Sequence, residues 1–137
     1  MLIHTVLFWL KPNLNQEEKS NFQENLEKLR DIKSINFAYI GKPANTSKRP
    51  VIDDSYDYCL TVGLENLEAH DHYQEDKIHL DFIKDCSQMW DRVLIYDAEW
   101  AEKSIFIPGN HSYWYKFQKK LPQNAENTLR ELGLKSI

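Results

Sequence analysis

LIHTVLFWL, residues 2–10, is the stretch whose reading decides the fold. It is short, apolar and rich in β-branched and aromatic residues, which is the composition of a β-strand. A strand in a sheet with helices on one side alternates apolar and polar residues, because its other face meets water. This one does not alternate. Leu2, Val6, Phe8 and Leu10 share one face, while Ile3, Leu7 and Trp9 share the other. VLIYDAEW, residues 93–100, behaves the same way, with Val93 and Ile95 opposite Leu94 and Tyr96. A sheet apolar on both faces needs two covers, and the helices of one chain supply one. The simplest second cover is another copy of the same sheet, in a face-to-face homodimer. The rival cover is the chain's own C-terminal tail.

The segments between these strands supply the rest of the fold. Pro12 and Asn13 end the first strand. Asn15 followed by Glu18 resembles a capping box, and Phe22, Leu26 and Leu29 recur at helical spacing, so a helix is expected over 16–31. INFAYI marks a second strand at 34–41, followed by the long polar loop KPANTSKRPVIDDS. YDYCLTVGL, residues 56–64, is the third strand. Two helical pieces then cover 66–74 and 77–91, ahead of the fourth strand at 93–100. The order β-α-β-β-α-β predicts an α+β, ferredoxin-like protomer with a four-stranded antiparallel sheet and helices on one face. Residues 1–100 form this domain. Residues 101–137 are expected to be an extension packed on the domain or on its dimer mate.

That extension contains SIFIPGNHSYWYKFQKK, in which aromatics alternate with lysines, and PQNAENTLRELG, which reads as a short helix. Interleaved aromatics and lysines suit single-stranded nucleic acid. The whole chain, however, carries a formal charge of −4, and phosphate binding calls for a basic surface. No nucleic-acid partner is expected. MLIHTVLFWL has no basic region before it and no small-residue cleavage site after it, so it is not read as a secretion signal. No apolar run approaches the ~20 residues of a membrane helix. Cys59 and Cys86 lie in apolar runs and read as reduced thiols, which suits a cytoplasmic protein without disulfides.

Chemistry-bearing residues concentrate in HDHYQEDKIHLDF, residues 70–82. His70 and His72 are two apart on a helix and point to different faces, and no H-x-x-x-H occurs, so no metal site is expected. Both are read as solvated. His79 differs, because Phe82, Ile83, Cys86 and Trp90 follow it at i+3, i+4, i+7 and i+11, the apolar stripe of that helix. With Asp76 as N-cap, His79 falls in the first turn, where the helix dipole and burial both favour a neutral imidazole able to act as a base. His4 takes an apolar position in the first strand, and Tyr58 shares a face with Leu60, Val62 and Leu64. Tyr73 ends the short helix. Two histidines and two tyrosines on apolar faces suit a small pocket with a few convergent polar groups. Each of the four also has a plainer reading as a polar group hydrogen-bonded at the edge of the core.

H-T-V-L-F-W-L-K at 4–11, I-G-K-P-A at 40–44, D-Y-C-L-T-V at 57–62, H-Y-Q-E-D-K-I-H-L-D-F at 72–82 and L-I-Y-D at 94–97 together resemble the Dabb family, the stress-responsive dimeric A/B barrel domain. The resemblance runs over residues 2–98. It implies a ferredoxin-like protomer that pairs with a second copy to form a dimeric α/β barrel. Most members have no established activity. One plant member closes and aromatises a linear polyketide without a cofactor, using a histidine base and a tyrosine partner. By position the resemblance matches His79 to that histidine, Tyr73 to that tyrosine and His4 to a further histidine of the site. Tyr58 stands where that cyclase has another pocket histidine. Asp76-Lys77-Ile78-His79 replaces the family's common H-P-x-H. The expectation is a homodimer that binds a small apolar or aromatic ligand without a cofactor. The alternative is an acid–base enzyme in which His79 and Tyr73 are catalytic while His4 and Tyr58 hold the substrate.

Overall fold

The computed structural model describes residues 1–101. The chain divides into two units, Met1–Glu99 and Trp100–Ile137, and the sheet and its helices belong to the first. The extension expected over 101–137 lies outside the described residues, apart from Ala101.

Strands β1 (Leu2–Leu10), β2 (Ile35–Gly41), β3 (Tyr58–Leu64) and β4 (Trp90–Glu99) form one sheet in the order β2-β3-β1-β4. All three pairings are antiparallel. The helices are α1 (Gln16–Glu27), α2 (Leu67–Glu75) and α3 (Lys77–Cys86). This is the expected ferredoxin-like arrangement, with β1 placed centrally between β3 and β4.

Local chemistry sets the helix ends. Asn15 and Glu18 form the reciprocal capping box, with the Asn15 side chain accepting from the Glu18 N–H at 2.8 Å. Asn66 caps α2 by accepting from Ala69 N–H at 2.9 Å. Asp76 is both the C-cap of α2 and the N-cap of α3, and its carboxylate accepts from Ile78 N–H at 2.8 Å. One extended residue therefore separates two helices and turns the chain between them.

The core fills the space between the helices and one sheet face. From β1 it takes Leu2, Val6, Phe8 and Leu10, and from β3 it takes Tyr58, Leu60, Val62 and Leu64. The helical layer contributes Phe22, Leu26, Leu29, Ile32, Tyr73, Phe82 and Cys86. At one end Phe8, Phe22, Phe82 and Trp90 form a knot of rings with centroids 5.3 to 6.3 Å apart. Such pairs add ≈ 0.5–1.5 kcal/mol each beyond burial.

Two expectations about this layer need correction. The long helix ends at Cys86, and after the short turn Ser87–Met89 the fourth strand begins at Trp90. Trp90 pairs with Leu10 across a bulge, and Lys11 N–H donates to Met89 O at 2.9 Å. Its ring still reaches the core, so the side chain satisfies the helical period from a strand backbone. Ile83 is 39 % exposed and does not belong to the buried stripe.

The other sheet face carries Ile3, Thr5, Leu7 and Trp9 from β1 with Phe37, Tyr39, Cys59, Thr61, Leu94 and Tyr96 beside them. Within the chain Tyr39 is 64 % exposed and Tyr96 60 %. The Phe37 ring lies across Gly63, where an added Cβ would fall 2.1 Å from the ring. Glycine is required there by close approach. No helix among the described residues is long and apolar enough to cross a membrane.

Candidate functional site

Strand register builds the first half of the site. His4 faces the helices from the middle of the apolar β1 face and is 2 % exposed, the one histidine among the buried residues described. Opposite it in the ladder stand Val62 on β3 and Asp97 on β4. Directly opposed antiparallel residues bring their Cβ atoms to ≈ 4.5–5.5 Å, and His4 Nδ1 and Asp97 Oδ1 meet at 2.5 Å. The Asp97 side chain is 45 % exposed, so the pair runs from the core to the solvent at the sheet's edge.

Helix α2 supplies the second half. His70 and Tyr73 are three apart and share the helix face turned toward the sheet. Both rings meet His4 edge-on, with centroids 5.3 Å away for His70 and 5.6 Å for Tyr73. Tyr73 is 1 % exposed. From the first turn of α3, the His79 ring packs on Tyr73 at a centroid distance of 4.8 Å. The outcome is a continuous row, Asp97–His4–Tyr73–His79, with His70 beside His4.

Burial governs the proton chemistry of this row. It pushes the Tyr73 hydroxyl well above the usual tyrosine range, which keeps the hydroxyl protonated as a donor. It lowers His79 below the ordinary histidine value, the backbone of Gln74 offsets part of that, and the neighbouring His4 and, less, His70 lower it again. The Asp76 carboxylate acts in the same upward direction as Gln74. His79 Nδ1 is buried and makes no hydrogen bond of good geometry among the described residues. A neutral imidazole with a free nitrogen, against a protonated phenol, can exchange a proton with a bound molecule.

Of the four residues singled out from sequence, the structure brings His4, Tyr73 and His79 together and leaves Tyr58 apart. Tyr58 is four pairs along the ladder from the level of His4, or about 13 Å at ~3.3 Å per residue. There its hydroxyl donates to Gln23 Oε1 at 2.9 Å, its ring tilts against Phe22, and the Lys42 ammonium sits 5.4 Å from the ring centre. A hollow of about 530 Å³ opens near the α2–α3 junction, lined by Lys33, Ser34, His72, Glu75 and Asp76. None of the four lines it.

Sequence reasoning misses two members of the row. It puts His70 in water with His72. His72 is indeed exposed, while the His70 side chain is only 19 % exposed and turns to His4. It gives Asp97 no role, although Val93, Ile95 and Asp97 alternate on one strand face and an antiparallel β1–β4 pairing carries that face to His4. The metal expectation considers histidine spacing along one helix. Across elements, His4, His70 and Asp97 each offer a ligand atom within 4.8 Å of the others.

The model of the stress responsive A/B barrel domain matches residues 2–100. No curated protein matches the chain. Among solved structures, a Dabb family protein with a ferredoxin-like fold from Mesorhizobium loti is similar at 20 % identity and TM-score 0.61, covering 74 % of this chain and 97 % of that one. A dimeric ferredoxin-like protein of unknown function from Thermobifida fusca is similar at 15 % identity and TM-score 0.59, covering 72 % and 90 %. The hydroxynitrile lyase of Passiflora edulis is similar at 14 % identity and TM-score 0.60, covering 74 % and 94 %. Identities this low speak for the fold alone.

Proposed function

This chain belongs to the stress responsive A/B barrel domain family, and from that premise we propose that it works as a homodimer whose protomers each bind a small apolar or aromatic molecule between helices and sheet. The observation that carries the ligand reading is the buried Nδ1 of His79, which makes no hydrogen bond of good geometry among the described residues, on a ring packed against Tyr73. Leaving such a nitrogen unpaired costs roughly 1–3 kcal/mol, a cost that a bound hydroxyl removes. A phenol or enol hydroxyl suits an acceptor nitrogen at His79, and a carbonyl oxygen suits the Tyr73 donor. His4, held by Asp97, orients the ligand from the sheet side. Tyr58 contacts only a ligand long enough to run about 13 Å along β1. The dimer reading is supported by the apolar outer face and by the dimeric neighbour of the same fold.

Small phenolic ketones tested in EDTA buffer are expected to include compounds that raise the thermal midpoint in proportion to their occupancy. Linkage gives about 2.7 kcal/mol at a hundredfold excess over Kd. His79→Ala and Tyr73→Phe should each remove most of that shift. Shifts of full size in both variants would contradict the site.

A second reading is favoured by the opposed effects of burial on the two groups: His79 is kept neutral and Tyr73 protonated. In that reading His79 removes a proton next to a carbonyl and Tyr73 donates to the developing oxyanion, without a cofactor. A neighbour that is a hydroxynitrile lyase supports the capacity of this fold to house an enzyme. Deuterium exchange next to the carbonyl of a bound ketone, lost in His79→Gln, separates this chemistry from binding alone.

A further inference from the structure

The ligand reading uses His79, Tyr73 and His4; His70, whose Nδ1 lies 3.4 Å from the exposed Asp71 carboxylate, has no part in it. A buried His4 satisfied by Asp97 accounts for those two residues only. It gives no reason for a second imidazole, from a different element, to sit 5.3 Å from the first while its neighbour His72 stays in solvent. We propose that His4 of β1, His70 of α2 and Asp97 of β4 form a binding site for a divalent transition-metal ion.

Three observations support it. The three ligand atoms already lie within 4.8 Å of one another. Two imidazoles and one carboxylate make a borderline donor set, suited to zinc, iron, cobalt or nickel in preference to magnesium or calcium. Access also differs along the triad: His4 is buried, while the Asp97 side chain is 45 % exposed and gives an ion a way in from the sheet edge.

Little rearrangement is needed. Metal–nitrogen and metal–oxygen bonds of about 2.0–2.2 Å set two ligands of a tetrahedral ion roughly 3.4 Å apart. His4 Nδ1 and Asp97 Oδ1, now 2.5 Å apart, must open by somewhat under 1 Å. The widest separation in the set, up to 4.8 Å, must close by up to about 1.4 Å, and Asp97 and His70 are the side chains with room to move. Three protein ligands leave at least one position for water or a ligand oxygen. Because Tyr73 meets His4 at 5.6 Å, such an ion lies next to the proposed small-molecule site without depending on it.

The test is a titration of the EDTA-stripped full chain with Co²⁺, read by visible absorption, and with Zn²⁺, read by calorimetry, with no organic ligand present. One ion per chain is expected. His70→Ala and Asp97→Asn should each weaken binding by tenfold or more, and His72→Ala should leave it unchanged. Thermal melts in EDTA establish that each variant is folded. If Asp97→Asn fails to fold, His70→Ala alone decides. The absence of saturable binding at one ion per chain would overturn the proposal. So would full binding in folded His70→Ala, or binding abolished by His72→Ala. The small-molecule test runs in EDTA, so either reading can fail without the other.

Discussion

His79 is the residue at which sequence and structure agree most closely. Its position in the first turn of α3 follows from Asp76 as cap, and the apolar stripe behind it gives its direction toward the sheet. Desolvation by burial against Tyr73 and its surroundings lowers its pKa in the fold below the unperturbed 6.5, with Tyr73 and His70 on α2, His4 on β1 and the Asp76 cap as the titratable groups facing it. The unfolded chain then binds more protons between the folded value and 6.5, and stability rises with pH across that window. The protein should lose stability as pH falls below 6.5 and show no His79 contribution above it. In His79→Gln the acid-side slope of a melting-temperature profile should flatten. A slope unchanged from the parent would mean that His79 is solvated. His70 and Asp97 are illegible at this scale for a physical reason: Asp97 depends on ladder register between strands distant in sequence, and His70 on which face of α2 docks against the sheet.

At the scale of elements, β1 is legible to the residue because its composition and its end at Pro12 coincide. The second helical segment is legible only up to Cys86. Trp90 keeps helical phase by accident of geometry, and its ring enters the core from β4. The junction Asp76 is the element-scale feature on which the site depends, since it ends α2 beneath Tyr73 and starts α3 ahead of His79. Asp76→Ala removes the side-chain bond to Ile78 N–H, a cap worth about 0.5–2 kcal/mol. Urea denaturation should show a loss in that range, with binding of any small-molecule ligand weakened beyond it because both site rings shift. Loss of stability with ligand affinity intact would detach the junction from the site.

For the whole molecule, the two-sided strand LIHTVLFWL remains the central fact. The described residues cover Leu2, Val6, Phe8 and Leu10, and they leave an outer face with Leu7, Trp9, Phe37, Tyr39 and Tyr96 on it. An apolar face of this extent on an antiparallel sheet calls for a cover, and in the proposed homodimer the sheet of a second copy would supply it. Light scattering on the purified full chain at micromolar concentration measures this directly. A homodimer gives twice the 16.3 kDa chain mass, and Leu7→Glu, a charge at the centre of that face, lowers it to one chain. A parent protein of single-chain mass at tens of micromolar would contradict the dimeric barrel.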